Sequence, residues 1–403
     1  MTIRKRLLAV LFAVMLLPAA FAFSEEAGEA PEITAQCTFS FSSGSEKRTV
    51  KRLTDHDYLT RWKKQKYGAA WFTAENKETP IDALYFCFDI IPSEWAIQVP
   101  SGNDWETVYT GDDRFLHAWV KLEEPAEKVR FLSLETDCKV QVAELRLYGE
   151  GSFPSTAQDW LPTVEDADIL FLSAHADDEL IFFGGGIPTY ATERKNRVAV
   201  AYLANCGPQR RNELLDGLWS MGVRNYPVIS SFPDKHEKSK SAEYKAMGGK
   251  EKVLDWVTAL YRKVKPKVVV THDVKGEYGH YQHRVAAEAA LIAYDRAADA
   301  SFDPDSAETY GTWQVQKLYH HLGKENRITM NWDEPLESLG GITGLEAAVR
   351  AYTYHESQKG TSMSVTKTGK KYDNRIFGLT RTEVGPDEQG GDFLENILLE
   401  EFQ

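Results

Sequence analysis

Asp168-Ile-Leu-Phe-Leu-Ser-Ala-His-Ala-Asp-Asp-Glu179 joins an apolar run to a histidine and three carboxylates. The run 168–173 reads as a strand buried on both faces, the kind a parallel sheet uses. Ligand sites of open α/β sheets collect just beyond such strand ends. His175 and Asp178 are metal-ligand types at short spacing, and Asp177 between them is free to act as a base. Gly184-Gly-Gly186 follows without the G-x-G-x-x-G spacing of a phosphate loop, so it reads as close helix–sheet packing.

A second cluster lies at Gly276-Glu-Tyr-Gly-His-Tyr-Gln-His283, again after a β-branched run, 267–273. It opens an Ala-rich helical segment over 284–300. Two histidines three apart at a helix start face one point. A catalytic zinc takes three protein ligands and keeps a fourth position for water. His175, Asp178 and one of His280 or His283 supply that set.

Around these motifs the chain alternates. Strands are expected at 168–173, 198–203, 228–230 and 268–271, with helices over 209–221 and 251–264 between them. That is βαβ order and predicts a mostly parallel, doubly wound sheet. Residues 34–150 have a different texture of short, often alternating strands with no useful helical period, which predicts an antiparallel β-sandwich. Gly149-Glu-Gly-Ser-Phe-Pro154 marks the change, so the second unit runs over 151–403.

The first 22 residues read as a secretory signal: a basic Arg4-Lys-Arg6, an apolar Leu7 to Leu17, and Ala20-Phe-Ala22 before the cleavage point. A flexible acidic leader is expected over 23–33. The apolar run is short for a membrane span, and no later segment is apolar enough for one, so no stable membrane insertion is expected after cleavage. Loss of three signal-peptide cations takes the net charge from −13 to about −16, which excludes the basic surface that nucleic acid needs. The cysteines Cys37, Cys87, Cys138 and Cys206 form no metal-type pattern. Export permits disulfides, with Cys37–Cys138 the favoured pair and buried free thiols the alternative.

The two motifs resemble those of the PIG-L/LmbE family of zinc-dependent N-deacetylases. The first is (A/P)HPDDE, met at Ala174–Glu179 with Ala176 for proline; the second is met at Gly276–His283 with Gln282 for aspartate. Arg210-x-x-Glu213 ahead of Met221-Gly222, and His355-x-Ser357-Gln358, continue the resemblance to about residue 358. It implies a Rossmann-like α/β domain, a single Zn2+, and hydrolysis of an acetamido group on an N-acetylglucosamine-type sugar. Carried over by position, His175, Asp178 and His283 hold zinc and Asp177 is the general base. His280 assists the tetrahedral intermediate or the leaving amine, Tyr278 faces the oxyanion, and Arg210 and Asp234 hold the sugar. Of the departures, Ala176 is expected to loosen its loop, and Gln282 to leave His280 less basic and the general acid less certain. Glu179 is expected to cap the helix that follows, and His272, His320 and His321 to be structural.

The sandwich resembles discoidin-like, galactose-binding-type modules at Leu53–Tyr58, Arg61-Trp62 and Val142–Gly149. That implies sugar stacking on loop aromatics, for which Trp62, Trp71, Trp95 and Trp105 are available; a purely structural module is the alternative. Together these readings give a secreted or envelope-exposed sugar N-deacetylase. The rival reading is a glycan-binding protein with an inactive deacetylase-like domain, and a third is a zinc hydrolase of non-sugar amides.

Overall fold

The computed structural model describes residues 28–42, 46–64, 70–135, 139–361, 363–365 and 371–399. The signal and its cleavage point lie outside them, as does Cys138. Cys37, Cys87 and Cys206 are free thiols, and Cys37 donates to the Ile33 carbonyl rather than entering the favoured disulfide. No helix of the described residues is long and apolar enough to cross a membrane.

The first unit is an antiparallel sandwich. Its strands are β1 (Thr38–Phe41), β2 (Trp62–Lys64), β3 (Trp71–Glu75), β4 (Ile81–Ile90), β5 (Glu94–Ser101), β6 (Asp104–Asp112), β7 (His117–Ala126), β8 (Lys128–Ser133) and β9 (Val140–Tyr148). They form two sheets, β1-β3-β8-β5-β6 and β2-β9-β4-β7. Phe72, Phe86, Phe88 and Phe131 fill the space between the sheets, and removing such surface from water at about 25 cal/mol per Å² is what holds them face to face. Trp62 and Trp95 are 2 % and 1 % exposed within that core and have no face to offer a sugar. Trp105 is covered by the Arg130 guanidinium at 4.3 Å. A short helix, α1 (Glu46–Leu53), interrupts the strands where none was expected. The described end of the expected leader is ordered: Glu29 bridges Ser152, Glu32 bridges Tyr148, and Ala30 and Ile33 are buried.

The second unit carries β10 (Ile169–Ser173), β11 (Val198–Tyr202), β12 (Val228–Ile229), β13 (Val268–Thr271), β14 (Lys317–His321), β15 (Arg327–Thr329), a small hairpin β16–β17 (Pro335–Leu336, Ile342–Thr343), and β18 (Ile376–Thr382). The main sheet is ordered β12-β11-β10-β13-β14-β18-β15, parallel from β12 to β14, with two antiparallel strands closing one edge. Its helices are α2 (Asp178–Phe183), α3 (Pro208–Ser220), α4 (Lys240–Ala246), α5 (Lys250–Val264), α6 (Tyr281–Arg296), α7 (Pro304–Tyr310) and α8 (Gly344–Tyr352). The Ala-rich helix therefore starts three residues before its expected 284 and ends four before 300, which brings His283 inside it.

Strand order reverses at β10: the chain proceeds to β11 on one side and reaches β13 on the other. A crevice opens beyond the carboxyl ends of β10 and β13, where doubly wound sheets bind their ligands. Close packing at the glycine run brings the loop after β10 down onto that crevice. A Cβ on Gly185 would lie 2.8 Å from Gly344 backbone, and one on Gly186 would lie 3.0 Å from the Phe171 ring.

The two units meet through α3. Tyr58 of the sandwich's early loop donates to Asp216 at 2.8 Å, Arg211 donates to the Asp89 carbonyl at 2.9 Å, and Asn212 donates to the Asp89 carboxylate at 3.1 Å. His117 adds a ring contact to Asn212 at 3.0 Å. The loop that resembles a galactose-binding loop is thus docked on the helix whose first turns reach the crevice.

Candidate active site

The loop after β10 is pinned on every side. The Ala174 N–H donates to His272 Nε2 at 2.8 Å, Ser173 Oγ donates to the His175 carbonyl, and Arg210 donates to the Ala176 carbonyl. Ala176 does not loosen it: its N–H donates to Cys206 Sγ at 3.5 Å, a bond proline cannot make. Asp177 takes φ +118°, a conformation a side-chain-bearing residue pays to adopt. Glu179 holds it there by accepting the Asp177 N–H at 3.0 Å, which is its role in place of an ordinary cap.

His175 Nδ1, Asp178 Oδ2 and His283 Nε2 converge. They lie 2.7, 3.1 and 3.3 Å apart, close to the roughly 3.3 Å that separates ligand atoms around a tetrahedral zinc. Two imidazoles and a carboxylate suit zinc and related borderline divalent ions, so the donor set fits a catalytic metal with one position left over. Burial disfavours the Asp178 anion, yet His283 and His175 outweigh it and hold the carboxyl well below its usual range.

Behind the triad sits Glu277, which the sequence reading passed over. It is fully buried and accepts from His283 Nδ1 at 2.7 Å, His272 Nδ1 at 2.9 Å and His321 Nδ1 at 2.6 Å. A carboxylate on the far nitrogen fixes a ligand imidazole's tautomer and orientation. His272 is thereby an Nδ1–H tautomer whose Nε2 already receives the Ala174 N–H, which leaves it outside the ligand set despite its proximity. His320 lies apart, bonded to Thr380 and the Ala287 carbonyl.

Gln282 acts on a different histidine than expected. Its Oε1 accepts from His175 Nε2 at 2.5 Å while its amide donates to the Pro233 carbonyl at 3.0 Å, which fixes which end faces the ring. Its side chain therefore orients a triad member rather than His280. Gln282→Ala should weaken metal binding by roughly 10- to 100-fold, read by chelator competition; unchanged affinity would remove Gln282 from the support of His175.

His280 caps α6: its Nδ1 accepts the Gln282 N–H at 3.2 Å, so Nε2 carries the ring proton and points at His236 Nδ1, 3.0 Å away. Burial, then the charges on His175 and His283, push its pKa down to about 2. A neutral ring at a helix N-terminus, with N–H outward, is built to donate a hydrogen bond. Asp177 Oδ1 accepts from Arg210 at 2.8 Å, and Arg210 also reaches Asp234 at 3.2 Å. Burial and neighbouring Asp178 raise the Asp177 pKa to about 7, against the pull of Arg210. Tyr278, at φ +45° and 47 % exposed, stands at the rim.

All eight residues singled out from sequence are brought together. His175, Asp177, Asp178, Arg210, Asp234, Tyr278 and His280 line one cleft of 220 Å³, and His283 closes its floor through the triad. This is below the roughly 300–1,000 Å³ of pockets that engulf a drug-sized ligand, so it accepts one end of a substrate. Glu213 ties the remaining motifs in. It accepts the Ser357 N–H at 2.9 Å and the Ser357 hydroxyl at 2.5 Å, which sets Gln358 in the cleft wall.

Residues 170–294 match the family model described as PIG-L: GlcNAc-PI de-N-acetylase. This region is a PIG-L domain. The domain's relatives include a 1D-myo-inositol 2-acetamido-2-deoxy-alpha-D-glucopyranoside deacetylase of Frankia casuarinae, 27 % identical over 201 residues. That match covers 42 % of this chain and 64 % of the relative, less than two thirds of its length. Among solved structures, N,N'-diacetylchitobiose deacetylase from Pyrococcus horikoshii is similar at 18 % identity and a TM-score of 0.37, over 48 % of this chain and 71 % of that one. The family 32 CBM from C. perfringens NanJ, solved with galactose, is similar at 14 % identity and a TM-score of 0.25, over 29 % of this chain and 97 % of that one. At such scores the two structures inform neither mechanism nor ligand.

One buried group beside the PIG-L cleft has a cost. His355 is 1 % exposed with both ring nitrogens unpartnered among the described residues. Burial, then Arg210, push its pKa down to about 3. The folded value lies below the unfolded one of about 6.5. Stability is therefore full above pH 6.5 and is lost as pH falls toward 3, by roughly 2 kcal/mol between pH 8 and pH 5. His355→Phe should flatten that part of the Tm–pH curve; an unchanged slope would contradict the assignment.

Proposed function

We propose that the chain is an exported zinc-dependent N-deacetylase that removes the acetyl group from N-acetylglucosamine-type sugars within a glycan or glycoconjugate. The observation that carries this is the His175–Asp178–His283 triangle with Asp177 at its edge. The PIG-L match and the activity named for the Frankia casuarinae relative support the acetamido sugar as substrate class.

His175, Asp178 and His283 would hold the metal, which when bound supplies a Lewis acid for the carbonyl and lowers the pKa of a water toward roughly 7. Asp177 takes the proton released as water adds to the acetamido carbon. Its raised pKa suits both accepting that proton and giving it back near neutral pH. His280 donates its Nε2–H to the carbonyl oxygen as negative charge grows there, the first of its two expected roles, and Tyr278 can add its hydroxyl from the rim. As the carbon–nitrogen bond breaks, Asp177 passes its proton to the amine nitrogen, so acetate and a free amino sugar leave with protons balanced. Arg210 keeps Asp177 aimed, and with Asp234 it presents donor and acceptor groups to sugar hydroxyls.

Export rests on the sequence signal alone. Acetate release from N-acetylglucosamine, its oligomers and simple non-sugar amides tests the reading. Release confined to the sugars supports it, and preference for the simple amides would favour the third reading.

A further inference from the structure

We propose a second saccharide subsite at the junction of the sandwich and the PIG-L domain, which takes the distal part of a glycan whose acetamido end is in the catalytic cleft. This rests on the sugar-deacetylase reading for its ligand class. A cavity of 260 Å³ opens there, lined by Arg146 and Thr156 before the PIG-L region, Gln158 of the connection, Asp216 and Trp219 of α3, and Tyr354.

The chemistry of the lining is that of sugar recognition. Tyr354, 42 % exposed, offers the flat apolar surface a pyranose face requires, and half-buried Trp219, one face of which lies under the Arg224 guanidinium at 3.8 Å, lines the cavity with it. Between them stand an anchored acceptor and an anchored donor. Asp216 is held by Tyr58 at 2.8 Å and by Gln158 at 2.6 Å, with lone pairs to spare on both oxygens. Arg146 is fixed through the bond from its Nη1 to the Thr156 carbonyl at 2.7 Å, which holds its guanidinium in the cavity lining. Gln158, which braces Asp216, is itself 5 % exposed. Arg146 and Asp216 together leave no net charge for a polyanion or a cation, so the pair suits the hydroxyls of a neutral sugar. Pockets with an apolar lining and a few fixed polar groups gather at domain interfaces.

The position relates this cavity to the chemistry. Residues Tyr354–Gln358 run along α3: Gln358 lies beside Arg210 in the cleft, Ser357 on Glu213, and His355 over Gly217, and Tyr354 faces Asp216 and Trp219. The two cavities are the two ends of one helix–segment pair. At 1.5 Å per residue, Asp216 to Ser220 stand roughly 9–15 Å along α3 from Arg210, a span for a short oligosaccharide. The sandwich then contributes to substrate length selection through Arg146 rather than through a free binding loop.

The test measures kcat/KM for acetate release from the N-acetylglucosamine monosaccharide up to the pentasaccharide, together with calorimetric binding of the same ligands to the full chain. Wild type should gain with length. Tyr354→Ala, on an exposed side chain, and Ser155→Trp, which fills the cavity, should each lose that gain by roughly tenfold while the monosaccharide is unaffected. No gain with length in wild type, or variants that track wild type at every length, would overturn the subsite. Absence of acetate release at all lengths would instead sink the deacetylase reading, and the calorimetric comparison of wild type with Tyr354→Ala would still decide the subsite.

Discussion

Asp177→Asn is expected to keep its metal and lose turnover by roughly 10²–10⁴-fold, the usual worth of a positioned general base. The separation follows from geometry. Asp177 turns its carboxylate to Arg210, whereas Asp178, the next residue, turns its own to His175 and His283. Asparagine keeps the hydrogen bond from Arg210 but cannot take a proton from water. Because the same group returns that proton to the amine, the loss should fall on kcat and kcat/KM together rather than on KM. Steady-state kinetics beside metal analysis of the purified variant makes the check. Activity near wild type with metal retained would remove Asp177 from the mechanism, and loss of metal would mean that it supports the triad instead.

Glu277→Gln should be the most damaging change that touches neither substrate nor metal. One carboxylate accepts from three histidines drawn from three places in the chain: His272 after β13, His283 on α6, and His321 at the end of β14. Burial penalises the Glu277 anion, but the three imidazoles outweigh it and hold its pKa well below the usual value. Glutamine puts an N–H₂ against ring N–H groups and leaves buried donors unpaired. Metal affinity should drop roughly 10- to 100-fold, and stability by roughly 3–5 kcal/mol, the cost of breaking a buried ion pair by one partner. Chelator competition and denaturant melts of the variant read the two effects. Wild-type values in both would contradict the hub.

Much of this was legible in the chain because it is local. The βαβ alternation, the apolar run 168–173 and the short motif spacings place the crevice with His175, Asp177, Asp178, His280 and His283, whereas Tyr278, Arg210 and Asp234 enter only through the family resemblance. What was not legible depends on distant pairings. Glu277 reads as motif filler until β14 brings His321 beside it, and His236 is an ordinary exposed histidine until it meets His280. Gln282 stands next to His283 and two residues from His280 in sequence, which invited the wrong partner. The turn of α6 and the bond to Pro233 send it to His175. Trp62 and Trp95 fail as sugar platforms for a related reason. Alternation marks which residues share a face, but only the packing of the two sheets shows that Trp62 and Trp95 are on the inner one.

The central claim is that the His175–Asp178–His283 triangle is the working centre of a zinc deacetylase. The direct measurement is metal content and acetate release of the purified mature chain on N-acetylglucosamine oligomers, before chelation, after it, and after zinc is restored. One zinc per chain, with release that vanishes on chelation and returns with zinc, is the predicted result. Glycan binding by a chain that holds no zinc and releases no acetate would contradict it.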